Sequence, residues 1–412
     1  MGNQKDNRHI YLTKRSLLKE EYNSGRLSEL YSSHVDQHQI SVIIPIKNEF
    51  PDFFSTLESL NQSWLSFCET SFCEKSSCEK EKILVILVVN ALENDNPKVI
   101  ENNEKLIEAL EEAKNQEKYE GLDFFVVNLN PPMGFLPEKQ GVGYARKIGM
   151  DYAIFFDCKI LACLDGDTLV AKNYVETLYQ FSKDVKEKGE LFAVTDFFHQ
   201  KAENQFYQKA IDSYEGFLKF HSKRLEECGT PFYPVALGPT LVSSNYAYCA
   251  VNGMNLKVAG EDFYFLQSLI KLKIADGKTL KTTMLNTSVF PSSRISDRVL
   301  FGTGSRINEL VEDAKNMSQS CENDKILEKI SYPYYDEWIY DEFKKFFAEK
   351  NPEVTKLKDF LEDEKFLENF AKMKKNYGKS QNRFEAAFHT WFDGLKIIRG
   401  IHFLERVGKE TI

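Results

Sequence analysis

Two carboxylates, Asp165 and Asp167, close the apolar run in 160-ILACLDGDTLV-170, with only Gly166 between them. Like charges this close repel, so the pattern asks for a counter-charge that both can share. In extended chain, residues i and i+2 point to the same side, and carboxylates placed so suit one hard cation, Mn²⁺ or Mg²⁺. Such an ion keeps open positions for phosphate oxygens. Gly166 lets the backbone turn and approach a ligand closely. The plain alternative is an Asp-Gly turn with solvated acids, and a string as short as D-x-D does not decide between the two.

Three further stretches carry groups able to do chemistry. Glu261 and Asp262 open a helix in 260-GEDFYF-265, where the dipole and free N–H groups favour acids. They are either ordinary first-turn acids or a general base held within reach of a hydroxyl. In 138-EKQGVGYARK-147, Gly141 and Gly143 flank a helix start, with Lys139 before it and Arg146 after it. A helix N-terminus with two cations suits a phosphate. The stretch lacks the third glycine of a dinucleotide fingerprint and the G-K-[ST] of a Walker loop. In 291-PSSRISDRVLFGTGSRI-307, Arg294, Arg298 and Arg306 surround Gly302 and Gly304; they suit a diphosphate clamp or a solvated surface turn.

The elements that must position these residues alternate regularly. Strands are predicted at 41–46, 83–90, 123–129 and 160–165, separated by helical patterns at 47–64, 97–115 and 141–157. In the last of these, Val142, Ala145, Ile148, Tyr152 and Phe156 form an apolar stripe, and Arg146 falls off it. Strand and helix in alternation predict an α/β fold with a mainly parallel central sheet, whose ligands bind at the carboxyl ends of the strands. Asp165 ends the fourth strand and so lies at that mouth. Further helices are predicted at 171–187 and 203–227 around a short strand at 191–196, with strands and loops over 234–258. From about 303 onward the chain reads as helical, ending in the amphipathic stretch 383–407. Its Phe388, Trp391, Phe392, Ile397, Ile398, Phe403 and Leu404 fit buried core better than a membrane foot.

The order 44-IPIKNE-49, 165-DGD-167, 261-ED-262 resembles the family 2 glycosyltransferases of the GT-A fold, of the type that builds bacterial surface polysaccharides. The resemblance spans about residues 40–305 and implies a metal-dependent transfer of one sugar from a nucleotide-diphosphate sugar, UDP favoured. It implies that Pro45, Asn48 and Glu49 border the nucleoside, and that Asp165 and Asp167 meet the ribose and the metal. It also implies that the Glu261–Asp262 pair supplies the base, through its second member. The family's usual V-D-D-G-S is replaced by 88-VVNALENDN-96, so Asn90, Glu93 or Asp95 must stand in at the base of the nucleotide. The Q-x-x-R-W motif of processive synthases is missing.

The implied reaction is a single displacement with inversion, Asp262 deprotonating the acceptor while Lys139, Arg146 and Arg298 add to an electrostatic clamp. The rivals are a retaining GT-A transferase acting on a small acid, a sugar-nucleotide pyrophosphorylase, and a binding protein that has lost catalysis. The pyrophosphorylase is disfavoured because no glycine follows the first strand in KNEFPDFF. The expected partners are a nucleotide-sugar donor and a saccharide or lipid-linked saccharide acceptor, with peripheral membrane contact allowed.

Composition sets the outer bounds. Fifty-three Lys and Arg are scattered among 62 acids, net charge -9, which argues against general nucleic-acid binding. The longest apolar run, 83-ILVILVV-89, is strand length, well short of the ~18 residues of a membrane span. The first residues show no secretory h-region, so a cytoplasmic protein is expected. Cys163 and Cys249 are expected as reduced core thiols, and Cys68, Cys73 and Cys78 lack zinc spacing. The expected organisation is a polar, partly helical arm over 1–39, a GT-A catalytic domain over 40–305 and a helical region over 306–412.

Overall fold

The computed structural model describes residues 2–27, 38–69, 82–114, 116–257, 260–275, 281–294, 303–317 and 323–410. The chain divides into two compact units: residues 1–200, 236–269 and 283–292 form the first, and 201–235, 270–282 and 293–412 the second.

The first unit is α/β. Its strands are β1 (Ile40–Ile46), β2 (Ile83–Asn90), β3 (Leu122–Leu129), β4 (Ile160–Cys163), β5 (Leu169–Val170), β6 (Phe192–Phe197), β7 (Leu241–Ser244) and β8 (Thr283–Phe290). They form one sheet in the order β3-β2-β1-β4-β7-β6-β8-β5. β1 runs parallel to β2 and β4, β2 to β3, and β6 to β8, while β7 is antiparallel to both its neighbours. Every residue of β1 and β2 is buried, which is why both read as near-continuous apolar runs, interrupted only by Ser41 within β1 and ended by Asn90 in β2, rather than alternating ones.

The helix Val142–Phe155 lies directly on this centre: a Cβ at Gly149 would stand 2.6 Å from Ile43 Cγ2 and 3.0 Å from Val88 Cγ2. That close approach sets how near the helix's first turn comes to the strand ends. The N-terminal helix Gly2–Lys14 packs on it through a buried polar knot. Asp151, fully enclosed, accepts from the Tyr11 hydroxyl (2.6 Å), the Tyr248 hydroxyl (2.8 Å), Ser16 Oγ (3.0 Å) and the Leu17 amide (2.7 Å). Burial lowers the proton affinity of Lys147, whose Nζ donates to the Tyr11 oxygen at 2.6 Å.

The second unit is helical. Ala210, Ile211, Ile307, Val311, Ala314 and Ile330 make one core, and Phe343, Phe346, Phe366, Phe388 and Phe392 make an aromatic one. The predicted 383–407 helix is in fact two, Gln381–Trp391 and Gly394–Glu410. Asp393 breaks it: its carbonyl accepts from the Ile397 amide at 3.0 Å and its carboxylate from the Lys396 amide at 3.3 Å. Phe388, Phe392, Ile397 and Leu404 are buried, as core residues are. None of the described helices is long and apolar enough to cross a membrane.

Two strands were not predicted, β5 and β8. In 283-TMLNTSVF-290 the interior is Asn, Thr and Ser, residues of low or mixed strand preference, and the strand forms because it has β6 and β5 to pair with.

Candidate active site

The site starts where β1 ends. The turn Lys47–Phe50 that leaves β1 is pinned by two adjacent asparagines of the helix Pro97–Ala113. Asn103 Oδ1 accepts from the Asn48 amide at 2.8 Å, and Asn102 both accepts from the Phe50 amide (3.0 Å) and donates to its carbonyl (2.8 Å). Asn48 takes a left-handed φ of +57°, a conformation asparagine tolerates better than most side chains. Lys47 pairs with Asp95 at 2.6 Å.

Asn90, at the end of β2, is buried, and its amide donates to the carbonyls of Ile46 (2.9 Å) and Val88 (3.0 Å). The first of these bonds ties β2 to the end of β1; the second stays within β2. Behind it, Asn103 Nδ2 donates to the Asn90 carbonyl and to Asn130 Oδ1, each at 3.0 Å. This asparagine network escaped the reading of the sequence, where 102-NN-103 passes for helix surface.

Because β4 pairs with β1, the Asp165–Asp167 stretch meets that turn. The Leu164 amide continues the ladder to Ile43 at 3.0 Å, and the Thr168 amide then closes a turn onto the Asp165 carbonyl at 3.1 Å. The two aspartates thus sit on a turn and not in the extended chain that i, i+2 convergence assumes. Gly166 is pressed against the first motif: a Cβ there would lie 3.1 Å from Glu49 Cγ and 3.6 Å from the Pro45 carbonyl. Thr56 Oγ1 fixes the Gly166 carbonyl at 3.0 Å. Glu49 is buried, while Asp165 and Asp167 are half-buried.

The third motif joins through Arg146. Its Nη2 donates to Asp165 Oδ1 and its Nη1 to Glu261 Oε1, both short, charge-assisted bonds. Only 4% of Arg146 is exposed; it is not a solvent-facing cation, and both terminal nitrogens are held by carboxylates. Burial alone would weaken its proton affinity, but Asp165 and Glu261 more than offset this and raise it. Its Nε has no hydrogen-bond partner. The guanidinium rests on Gly238, where a Cβ would stand 2.1 Å from Nη2; nothing in the pattern around 238 marks this glycine's role.

Glu261 is buried and its neighbour Asp262 half-buried at the start of the helix Glu261–Ala275. Desolvation, followed by the adjacent Glu261 charge, pushes the Asp262 carboxyl up to about 6, against the pull of Arg146. A carboxylate with that proton affinity is poised as a base near neutral pH. Lys139 is exposed, with a left-handed φ of +63°, and no described contact ties it to Asp165. Arg298 lies outside the described residues, as do Cys73 and Cys78. Cys163 and Cys249 are buried free thiols, with Cys163 raised by burial to about 12.

Among the described residues, no three of His, Cys, Asp and Glu converge on a point that would hold a metal ion. The donors present at the turn are carboxylate oxygens, with one Asp165 oxygen taken by Arg146. This set fits a hard cation of the Mg²⁺ or Mn²⁺ kind that draws its remaining ligands from phosphate, and does not fit a closed all-protein cage.

No family model and no curated protein matches the chain. Among solved structures it is similar to S. aureus TarS 1–349 in complex with UDP-GlcNAc, at 11% identity and a TM-score of 0.37, over 85% of this chain and 89% of that one. It is also similar to S. aureus TarS at 13% identity and a TM-score of 0.37, over 85% and 50% of the two chains. A further structure of TarS 1–349 matches at 12% identity and a TM-score of 0.36, over 85% and 89%.

Proposed function

We propose that the chain is a GT-A glycosyltransferase of the family 2 type, moving one hexose from a nucleotide-diphosphate sugar, UDP favoured, to a hydroxyl acceptor with inversion. The observation that carries this reading is the meeting of three distant carboxylate motifs, Glu49, Asp165 and Glu261–Asp262, at the carboxyl ends of β1 and β4. That is where a parallel sheet binds ligands.

In this reading Pro45 and Glu49 border the nucleoside, and Asn90 supports the turn beside it. Asp165 and Asp167 would hold Mn²⁺ or Mg²⁺, which when bound stabilises charge on the departing diphosphate. Lys139 and Arg298 are assigned to the same diphosphate. Asp262 takes the proton of the acceptor hydroxyl as its oxygen bonds to the anomeric carbon and the bond to the nucleoside diphosphate breaks. Proton transfer to a placed base contributes ~10²–10⁴-fold.

Steady-state release of UDP from a panel of UDP-hexoses, with saccharide acceptors and Mn²⁺, tests the reading. Asp262→Asn should lower kcat by on the order of 10²-fold or more while UDP affinity stays within about twofold. Retention of most activity would contradict the inverting mechanism.

A further inference from the structure

Arg146 is built into the site more firmly than a ligand-binding cation needs to be. Three segments far apart in the sequence close on its guanidinium: Asp165 after β4, Glu261 at a helix start, and the bare backbone of Gly238. Its two branches reach carboxylates 96 residues apart (261 − 165), which no local element holds in common. A planar, permanently charged fork is the one side chain able to grip two carboxylates at fixed directions; a lysine presents a single point.

We propose that Arg146 is a positioning residue that locks the donor-side carboxylate Asp165 to the acceptor-side helix start at Glu261, so that both halves of the site keep one geometry. Glu261 is then the anchor of the Glu-Asp pair, and Asp262, next to it and outside the bridge, is left to accept the proton. The names donor side and acceptor side rest on the glycosyl-transfer reading; the bridge itself does not. A loss of register of about 1 Å between reacting groups costs on the order of 10²-fold in rate.

Two measurements on the full chain test this. The first needs no nucleotide: thermal unfolding of Arg146→Met, Glu261→Gln and the double variant. A bridge predicts that the double variant loses less Tm than the sum of the single losses, because removing one partner already strands the other. Additive losses would overturn the proposal whatever reaction the protein catalyses. Should Arg146→Met fail to fold, Arg146→Lys runs the same cycle.

The second separates positioning from mere support. Glu261→Gln should lower kcat for UDP-hexose turnover by ~10–10²-fold with UDP affinity, by calorimetry with Mn²⁺, within about twofold of wild type. Arg146→Lys should recover part of the rate that Arg146→Met loses. Wild-type turnover by Glu261→Gln would overturn the role. If the unaltered protein turns over neither UDP-hexoses nor GDP-hexoses, the glycosyl-transfer reading falls, and the unfolding cycle alone decides whether the bridge exists.

Discussion

Asp262 shows how one carboxyl is set apart from its neighbours. Burial and the adjacent Glu261 raise it to about 6, above the ~3.9 of an aspartate in an unfolded chain. The folded protein therefore binds this proton more tightly than the unfolded chain does, and the stability it contributes is lost as pH rises from about 4 through about 6. At pH 7.5 the ionised form is a burden, so Asp262→Asn should raise stability by roughly 1–3 kcal/mol in thermal unfolding while lowering turnover. The acidic limb of kcat/KM in the unaltered protein should fall as pH drops through about 6, since the base must be ionised to act. A limb near 4 would assign the proton to another group.

Gly238 provides the steric counterpart. A methyl group there meets the Arg146 guanidinium at 2.1–2.6 Å. Gly238→Ala should therefore displace a buried, doubly paired charge and cost about 1–3 kcal/mol or more by thermal or denaturant unfolding. Of these residues, the acids were legible in the sequence from their types and order. The partner of Arg146 was not, because a stripe on a helical wheel says which face is apolar and not which distant carboxylates meet the other face.

Among the elements, the turn after β1 depends on the helix Pro97–Ala113. Asn103→Ala would leave the part-buried Asn48 amide without its acceptor and remove two donor bonds to the buried Asn90 carbonyl and Asn130 side chain. Buried polar groups stranded in this way cost about 1–3 kcal/mol. UDP affinity should weaken at the same time, since the Pro45–Glu49 turn loses its support; unchanged affinity by calorimetry would remove this turn from the donor site. The central strands and their helices were legible because a strand buried on both faces is a continuous apolar run. β8 was not, since its Thr, Asn and Ser residues look like loop until β6 and β5 pair with it. The break at Asp393 was hidden by apolar residues that keep helical spacing on both sides of it.

Across the whole molecule, stability is distributed over two separate kinds of core. The first unit relies on the fully buried strands β1, β2 and β4, the second on phenylalanines packed edge-on or tilted, such as Phe346, which contacts Phe366, Phe388 and Phe392 at ring separations of 5.0–5.8 Å. Phe346→Ala should destabilise by about 3–5 kcal/mol, read in thermal unfolding. The division of the chain into these units was only partly readable. Segments such as 201–235 and 270–282 join the helical unit, and composition does not mark where a chain leaves one core for another.

Calorimetric titration of UDP into the purified chain, with Mn²⁺ and again with EDTA, tests the central claim most directly. Two half-buried carboxylates that need phosphate to complete a cation site predict UDP binding with Mn²⁺, its loss in EDTA, and only weak uptake of Mn²⁺ alone. Absence of binding by both UDP and GDP, with or without the metal, would contradict the glycosyltransferase reading.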